Sequence, residues 1–147
     1  GLESNRRLYR WGAPPKHFDR DDRLIRLFRK SAGHYEPRRV HECISVEGRI
    51  AKTDALIEHY ENLTYSQRID KANKYSQARA EDKFEQGGKA SLITLIFIFP
   101  ITFLQLYFFK GNFRDGVDGL LSSMNVAFYS FMKYAKLWEL NKGRSKK

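Results

Sequence analysis

The stretch Arg23-Leu24-Ile25-Arg26-Leu27-Phe28-Arg29 is a short run of apolar and cationic residues that leads into Ser31-Ala32-Gly33. A run of this kind, bounded by a turn signal, predicts a strand followed by a turn. Residues 43–46 predict a second short strand and residues 55–60 a third. Because strands and helices do not alternate regularly around them, these strands predict the last part of an α/β sheet, which by itself has α+β character.

The length, charge and cysteine content of the chain limit which domain sizes, partners and metal sites are possible. The chain has 147 residues, enough for one domain of ordinary size, and it begins at Gly1, so we expect a fragment of a longer protein. Lys and Arg total 27 against 17 acidic residues, a formal charge of +10, which favours anionic partners such as nucleic acid, lipid headgroups or nucleotide phosphates. The single Cys43 excludes an intramolecular disulfide framework and an all-cysteine zinc site.

Residues 64–86 predict a helix. Thr64 and Gln67 have the spacing of a capping box, and Gly87-Gly88 is typical of a helix end. One stripe of the helix is predicted to hold Tyr65, Ile69, Ala72, Ser76, Ala80 and Phe84, with Arg68, Lys71, Lys74 and Glu81 elsewhere.

Residues 92–109 carry no charge and are bracketed by Lys89 and Lys110. A helix of this length reaches about 27 Å, slightly less than the roughly 30 Å hydrocarbon core of a bilayer. Pro100 is expected to kink it. The segment is therefore predicted to span a membrane with strain, to form a re-entrant helix or to lie in the interface, with a buried core helix as the alternative.

Residues 111–119 predict a glycine-containing loop, and a last helix follows it. Its predicted apolar face consists of Val117, Leu120, Leu121, Met124, Phe128, Phe131, Ala135 and Trp138. Residues 141–147 form a basic tail. An aromatic amphipathic helix with a cationic end suits an anionic membrane surface and is expected on the cytoplasmic side. The alternative is a surface helix that packs on the preceding one.

Six motifs carry a family resemblance. They are Arg26-Leu27-Phe28-Arg29-Lys30, Val40-His41-Glu42, His59-Tyr60-Glu61-Asn62, Asn73-Lys74-Tyr75-Ser76, Asp115-Gly116-Val117-Asp118-Gly119-Leu120 and Lys133-Tyr134-Ala135-Lys136-Leu137-Trp138-Glu139. In order and spacing they resemble family-two glycosyltransferases related to the lipopolysaccharide-core glucosyltransferases. In those proteins the third motif commonly ends in Ser-Tyr, where this chain has Glu61-Asn62.

The resemblance implies the C-terminal portion of a GT-A fold. It divides the chain into residues 1–62 of the catalytic domain, an amphipathic connecting helix at 63–90 and a membrane-associated helical region at 91–147. It also implies an inverting enzyme at the cytoplasmic face of the bacterial inner membrane. The donor would be a nucleotide-diphosphate sugar bound through a divalent metal, Mg²⁺ or Mn²⁺, and the acceptor a cell-envelope glycan or lipid-linked glycan. We expect the donor-binding half to be missing from these residues.

The resemblance also assigns roles to individual residues. Glu42 is expected to be the general base and His41 to orient it or contact the acceptor, because a sugar hydroxyl needs a positioned carboxylate to attack. Arg26 and Arg29 are expected to bind the diphosphate or the acceptor, and His59 to bind the metal. From the residues alone, each has a simpler alternative. Glu42 could be a solvated loop carboxylate and His41 a structural hydrogen-bonding residue. Arg26 and Arg29 could lie on the solvent side of a strand, and His59 could be a packed strand histidine.

Two other functions remain open. The first is a non-enzymatic membrane-anchoring or interaction module, built on the uncharged segment and the last helix. The second is nucleic-acid binding, which we do not expect, because the charges are spread along the chain and the most aromatic stretch has no cations interleaved with it.

Overall fold

The computed structural model describes residues 1–10, 22–35 and 44–144. They form two compact units, Gly1–Asn62 and Leu63–Lys147. The first contains a small mixed sheet and the second is helical, which agrees with the predicted α+β class. The predicted division into residues 1–62, 63–90 and 91–147 stays a prediction.

The described part of the first unit contains five strands. They are β1 (Leu2–Arg10), β2 (Asp22–Leu27), β3 (Gly33–Tyr35), β4 (Ile44–Val46) and β5 (Ala51–Glu61). The main sheet has the order β2-β1-β5, with β1 antiparallel to β2 and parallel to β5, while β3 and β4 form a separate antiparallel pair. The three predicted strands are confirmed, although β5 begins four residues earlier than expected.

Strand β1 was not predicted, yet it is the central strand of the sheet. Its sequence, Leu-Glu-Ser-Asn-Arg-Arg-Leu-Tyr-Arg, is too polar to be recognised from β-propensity. Pairing on both sides holds it in place, and Arg6 also forms an ion pair with Asp22 at 2.6 Å. Asp22 is the first residue of β2.

The helical unit begins with α1 (Tyr65–Glu85), and its predicted capping box is confirmed. The Gln67 amide donates to the Thr64 hydroxyl at 3.2 Å, and the Gln67 side chain accepts from the Thr64 amide at 2.8 Å. Gly87 follows the helix with φ +77°, a left-handed conformation that favours glycine. The prediction for Arg68 is wrong, because this side chain is buried together with Ala72, Ser76 and Ala80.

The uncharged segment is helical, as predicted. Helix α2 (Leu92–Leu104) continues into a π-helical turn, Gln105–Phe109, and its first turn is capped by the Ser91 hydroxyl, which accepts from the Thr94 amide at 3.1 Å. Leu92–Phe109 is long and apolar enough to cross a membrane, with a mean hydropathy of 2.2 and none of its residues buried. Within the described residues the segment is therefore not a buried core helix.

Helix α3 (Gly116–Arg144) begins inside the segment predicted as a loop and includes the start of the predicted basic tail. The predicted loop extended to Gly119. Gly119 is instead buried, and a Cβ placed there would come within 1.8 Å of the Asn112 carbonyl oxygen. The glycine is needed for close packing of the helix on the preceding turn.

The predicted apolar face of α3 is not its buried face. Gly119, Ser123, Ala127 and Leu137 are buried, whereas the predicted face is half-buried at Leu121, Phe131 and Ala135 and exposed at its other five positions. Val117, for example, is 69% exposed and Trp138 is 41% exposed. Small residues at four-residue steps let helices approach closely, and α3 packs on both α1 and α2. Helix α3 thus packs on the preceding helix, as the alternative predicted, and none of its fully buried residues belongs to the predicted apolar face.

Candidate functional site

A carboxylate held between two tyrosines lies on one side of the sheet, where β1 and β5 run in parallel. Tyr9 is paired with Tyr60 and Arg7 with Glu58, so these side chains share one side. The Tyr9 and Tyr60 rings stack with centroids 4.6 Å apart and planes at 29°. Both hydroxyls donate to Glu58, Tyr9 to Oε1 at 2.9 Å and Tyr60 to Oε2 at 2.7 Å.

These hydrogen bonds stabilise the ionised carboxylate and the protonated phenols. The bonds from Tyr60 and Tyr9 lower the pKa of Glu58, with a smaller contribution from the nearby Arg7 guanidinium. The bond to Glu58 is also the largest cause that raises the pKa of Tyr9 and the pKa of Tyr60. Near neutral pH the cluster therefore presents an anionic acceptor beside two neutral aromatic rings.

Such an arrangement is suited to binding hydroxyl-bearing ligands. An ionised carboxylate accepts hydrogen bonds at several positions, so Glu58 has capacity beyond the two phenols. Tyr60 is 53% exposed, which leaves apolar ring surface beside these acceptor positions. Apolar ring surface next to charged hydrogen-bond acceptors fits a ligand that has both C–H and O–H surfaces. We refer to Tyr9, Glu58 and Tyr60 as the tyrosine–carboxylate cluster.

His59 lies on the opposite side of the sheet from this cluster. Its register partner on β1 is Leu8, and side chains alternate between the two sides along a strand. His59 is exposed. The predicted metal ligand is thus next to Glu58 in sequence but separated from it by the sheet.

Arg26 and Arg29 are exposed and lie at the other end of the sheet from His59. Arg26 falls between Ile25, which pairs with Glu3, and Leu27, which pairs with Leu2, whereas His59 pairs with Leu8. Five residues of strand separate Glu3 from Leu8, a distance of about 17 Å. The structure therefore does not bring the predicted substrate-binding arginines and the predicted metal ligand together.

The predicted general base Glu42 and its neighbour His41 lie outside the described residues. Their roles stay predictions, as do those of Arg26, Arg29 and His59.

The described residues do not by themselves fit a divalent metal. Within residues 1–10, 22–35 and 44–144, no three His, Cys, Asp or Glu side chains are grouped so that they could hold an ion. Mn²⁺ and Mg²⁺ take several oxygen or imidazole ligands. A metal at His59 would therefore need ligands from outside the described part of the chain.

The sequence analysis missed Tyr9 and Glu58. The predicted strand at residues 55–60 already placed Glu58 and Tyr60 on one side, two residues apart, and this was the available signal. Tyr9 could not be added, because β1 was not predicted and the parallel pairing joins positions that are 49 residues apart.

The known proteins to which this chain is similar are named as members of one class, the glycosyltransferases. The chain is 37% identical over 135 residues to the lipopolysaccharide core biosynthesis glycosyltransferase LpsC of Rhizobium meliloti, which is 90% of this chain and 49% of that protein. It is 28% identical over 143 residues to an uncharacterized glycosyltransferase of Rickettsia prowazekii, 91% of this chain and 49% of that protein. An uncharacterized glycosyltransferase of Rickettsia typhi is 35% identical over 94 residues, 64% of this chain and 32% of its own length.

No family model matches the chain, and no solved structure gives a significant match. The chain spans about half the length of the first two relatives. Across most of its own length, this chain is therefore similar to part of proteins named as glycosyltransferases, one of which is named for lipopolysaccharide core biosynthesis.

Proposed function

We propose that this chain is part of an inverting glycosyltransferase of family two with a GT-A fold. The enzyme moves a sugar from a nucleotide-diphosphate sugar to a cell-envelope glycan or lipid-linked acceptor of the lipopolysaccharide core type. The observation that carries the proposal is the 37% identity to LpsC over 90% of this chain. The six ordered motifs named in the sequence analysis support the same class.

The proposed chemistry assigns one task to each predicted residue. Glu42 accepts the proton of the acceptor hydroxyl as its oxygen attacks the anomeric carbon, and the bond to the nucleotide diphosphate breaks on the opposite side. His41 orients Glu42 or contacts the acceptor. Arg26 and Arg29 bind anionic groups of the diphosphate or the acceptor, for which a guanidinium is well suited. A divalent metal bound in part by His59 would neutralise charge on the diphosphate.

The tyrosine–carboxylate cluster supports an acceptor site on this part of the enzyme. Glu58 and the two phenols offer hydrogen-bond acceptors and ring surface to a sugar, and they do so without needing a metal. Because Glu58 has a lowered pKa, it stays ionised and is a weak base near neutral pH. We therefore assign to Glu58 the binding of acceptor hydroxyls and leave proton transfer to Glu42.

The helical unit is proposed to hold the enzyme at the cytoplasmic face of the bacterial inner membrane. We call Leu92–Phe109 together with residues 119–132 the apolar hairpin, because both are helical and free of charged residues. Its exposed side chains include Ile93 at 71%, Phe109 at 87% and Met124 at 39%. Lys89, Lys133 and Lys136 lie at the open end of the hairpin, which favours placing that end in the cytoplasm.

A membrane-anchoring module without enzymatic activity is the second candidate function, and the exposed apolar hairpin favours it. The two functions differ in what they require of the sheet. An anchor needs neither the tyrosine–carboxylate cluster nor Glu42.

The test is sugar transfer by the whole protein that contains this chain. It would be incubated with a panel of nucleotide-diphosphate sugars and lipopolysaccharide core acceptors, and the anomeric configuration of the product would be determined by NMR. The proposal expects transfer from one donor with inversion of configuration. Retention of configuration would contradict the inverting mechanism, and the absence of transfer from every donor would favour the anchoring module.

A further inference from the structure

A cationic cleft opens at the base of the apolar hairpin. It has a volume of about 830 Å³ and lies where the end of α1, the start of α2 and the end of α3 meet. Its lining residues are Phe84, Gly87, Gly88, Lys89, Ala90, Trp138, Asn141 and Lys142. We call it the hairpin-base cleft. All of its walls belong to the helical unit.

Specific hydrogen bonds join two walls of the cleft. The Asn141 side chain accepts from the Ala90 amide at 3.1 Å and donates to the Gly88 carbonyl at 3.2 Å. These two bonds attach the end of α3 to the turn that joins α1 and α2. Lys89, on that turn, and Lys142, on α3, both line the cleft.

The charged residues that line the cleft are both lysines, and further cations lie nearby. Lys142 lies over the Trp138 ring at 4.8 Å, and one turn away both Lys83 and Lys133 lie over the Tyr134 ring, at 5.5 and 4.7 Å. Burial lowers the pKa of Lys133, and the neighbouring Lys83 and Arg79 lower it further. Cations crowded in this way are stabilised by an anion that approaches them.

The position of the cleft indicates which kind of anion would meet it. Lys89 precedes the uncharged Leu92–Phe109 helix by three residues, so the cleft lies where an apolar hairpin would leave the hydrocarbon. Trp138 is partly exposed there, and tryptophan favours the boundary between acyl chains and headgroups. Anionic phosphate groups are located at the same depth.

We propose that the hairpin-base cleft binds the phosphate of an anionic membrane lipid, with Lys89 and Lys142 as its cationic ligands and Trp138 beside the acyl chains. This inference rests on the membrane association in the proposed function, but not on sugar transfer. It differs from general attraction of a basic protein to a negatively charged membrane, because the selectivity for anionic lipid depends on Lys89 and Lys142 in particular.

The experiment uses the full chain with Trp11→Phe, which leaves Trp138 as the only tryptophan. Trp138 fluorescence is followed during titration with vesicles of phosphatidylcholine, alone or mixed with phosphatidylglycerol. The Lys89→Ala/Lys142→Ala variant is compared with Lys71→Ala/Lys74→Ala, which removes the same charge from α1. A Lys89→Arg/Lys142→Arg variant keeps the charge of the cleft, and circular dichroism checks that all variants are helical.

The proposal expects the cleft variant to lose affinity for the mixed vesicles about tenfold or more, since each lysine at an anionic surface contributes appreciably to binding. The α1 variant should lose less than about threefold, and the arginine variant should bind like the wild type. Equal losses in the two alanine variants would overturn the proposal in favour of diffuse attraction. Saturation of the Trp138 signal by inorganic phosphate without vesicles would overturn it in favour of a soluble ligand. If the double alanine variant does not fold, Lys142→Gln decides by the same comparison.

The vesicle-binding and sugar-transfer experiments can overturn the two proposals independently. Loss of anionic selectivity with intact sugar transfer overturns the cleft alone. Absence of transfer with intact selectivity overturns the enzymatic proposal alone.

Discussion

The Lys136 ammonium on α3 donates to Asn73 on α1 twice, to its backbone carbonyl at 2.6 Å and to its side-chain oxygen at 2.7 Å. It also donates to the Ser76 hydroxyl at 2.8 Å, and Ser76 is completely buried. Burial lowers the pKa of Lys136. The contact joins two of the motifs on which the family resemblance was based, 63 residues apart in the chain.

Replacing Lys136 with Met should therefore destabilise the helical unit. The change leaves the Asn73 oxygens without a charged donor, and such hydrogen bonds contribute about 1.5–3 kcal/mol. Chemical denaturation of the whole chain in detergent would measure the loss. Lys74→Met, at an exposed position on the same helix, is the control and should change the free energy of unfolding by less than about 0.5 kcal/mol. Equal effects of the two changes would show that the α1–α3 contact contributes nothing specific.

Gly119→Ala should also be destabilising, because the new Cβ would lie 1.8 Å from the Asn112 carbonyl oxygen. Backbone around the turn has to move, and overpacking of this kind costs about 1–3 kcal/mol. Gly143→Ala is the matched control on the same helix, since no atom lies within 4 Å of its added Cβ. Thermal unfolding of both variants tests this, and a Gly119→Ala protein as stable as Gly143→Ala would contradict the close approach.

The tyrosine–carboxylate cluster should make the sheet sensitive to acid. Because the pKa of Glu58 in the folded chain is lowered from 4.5, its contribution to stability is complete above that pH and is lost as the pH falls through the folded pKa. Glu58→Gln should therefore have a lower free energy of unfolding than the wild type at neutral pH, and this difference should disappear in acid.

The same lowering can be measured directly at the carboxyl group. An NMR titration of the Glu58 carboxyl carbon should give a pKa below 4.5 in the wild type and a value nearer 4.5 in Tyr60→Phe, since Tyr60 supplies the largest lowering contribution. An unchanged pKa in Tyr60→Phe would show that this hydrogen bond does not persist in solution.

Ile101→Lys should reduce membrane binding without unfolding the chain. Ile101 is 57% exposed and lies at the middle of the uncharged segment Leu92–Phe109, so lysine fits sterically. A lysine at the centre of a membrane helix costs about 2.5–3.5 kcal/mol, which lowers partitioning roughly a hundredfold. Flotation with vesicles measures the change. Leu27→Lys, on β2 and 69% exposed, is the same kind of substitution away from the hairpin and should float normally.

Structural features that depend on residues close together in the sequence were predicted correctly. The capping box of α1 and the end of that helix at Gly87 depend on residues a few positions apart, so Thr64 and Gln67 were sufficient to predict them. The absence of charge between Lys89 and Lys110 likewise predicted α2 and its continuation to Phe109.

Features that depend on distant pairing were not predictable in this way. Strand β1 is polar and is recognisable only once β2 and β5 are placed beside it. Periodicity found the apolar face of α3 but could not tell which side packs, and the small residues Gly119, Ser123 and Ala127 are the ones buried. For the same reason Glu58 was recognised only after Tyr9 was placed against it.

The central claim is that this chain contributes a general base to sugar transfer. The most direct test is kcat for sugar transfer by the whole protein with Glu42→Gln, measured beside Glu58→Gln. The account predicts that Glu42→Gln lowers kcat about a hundredfold or more, while Glu58→Gln mainly raises KM for the acceptor. Full kcat in Glu42→Gln, or a larger loss of kcat in Glu58→Gln, would contradict it.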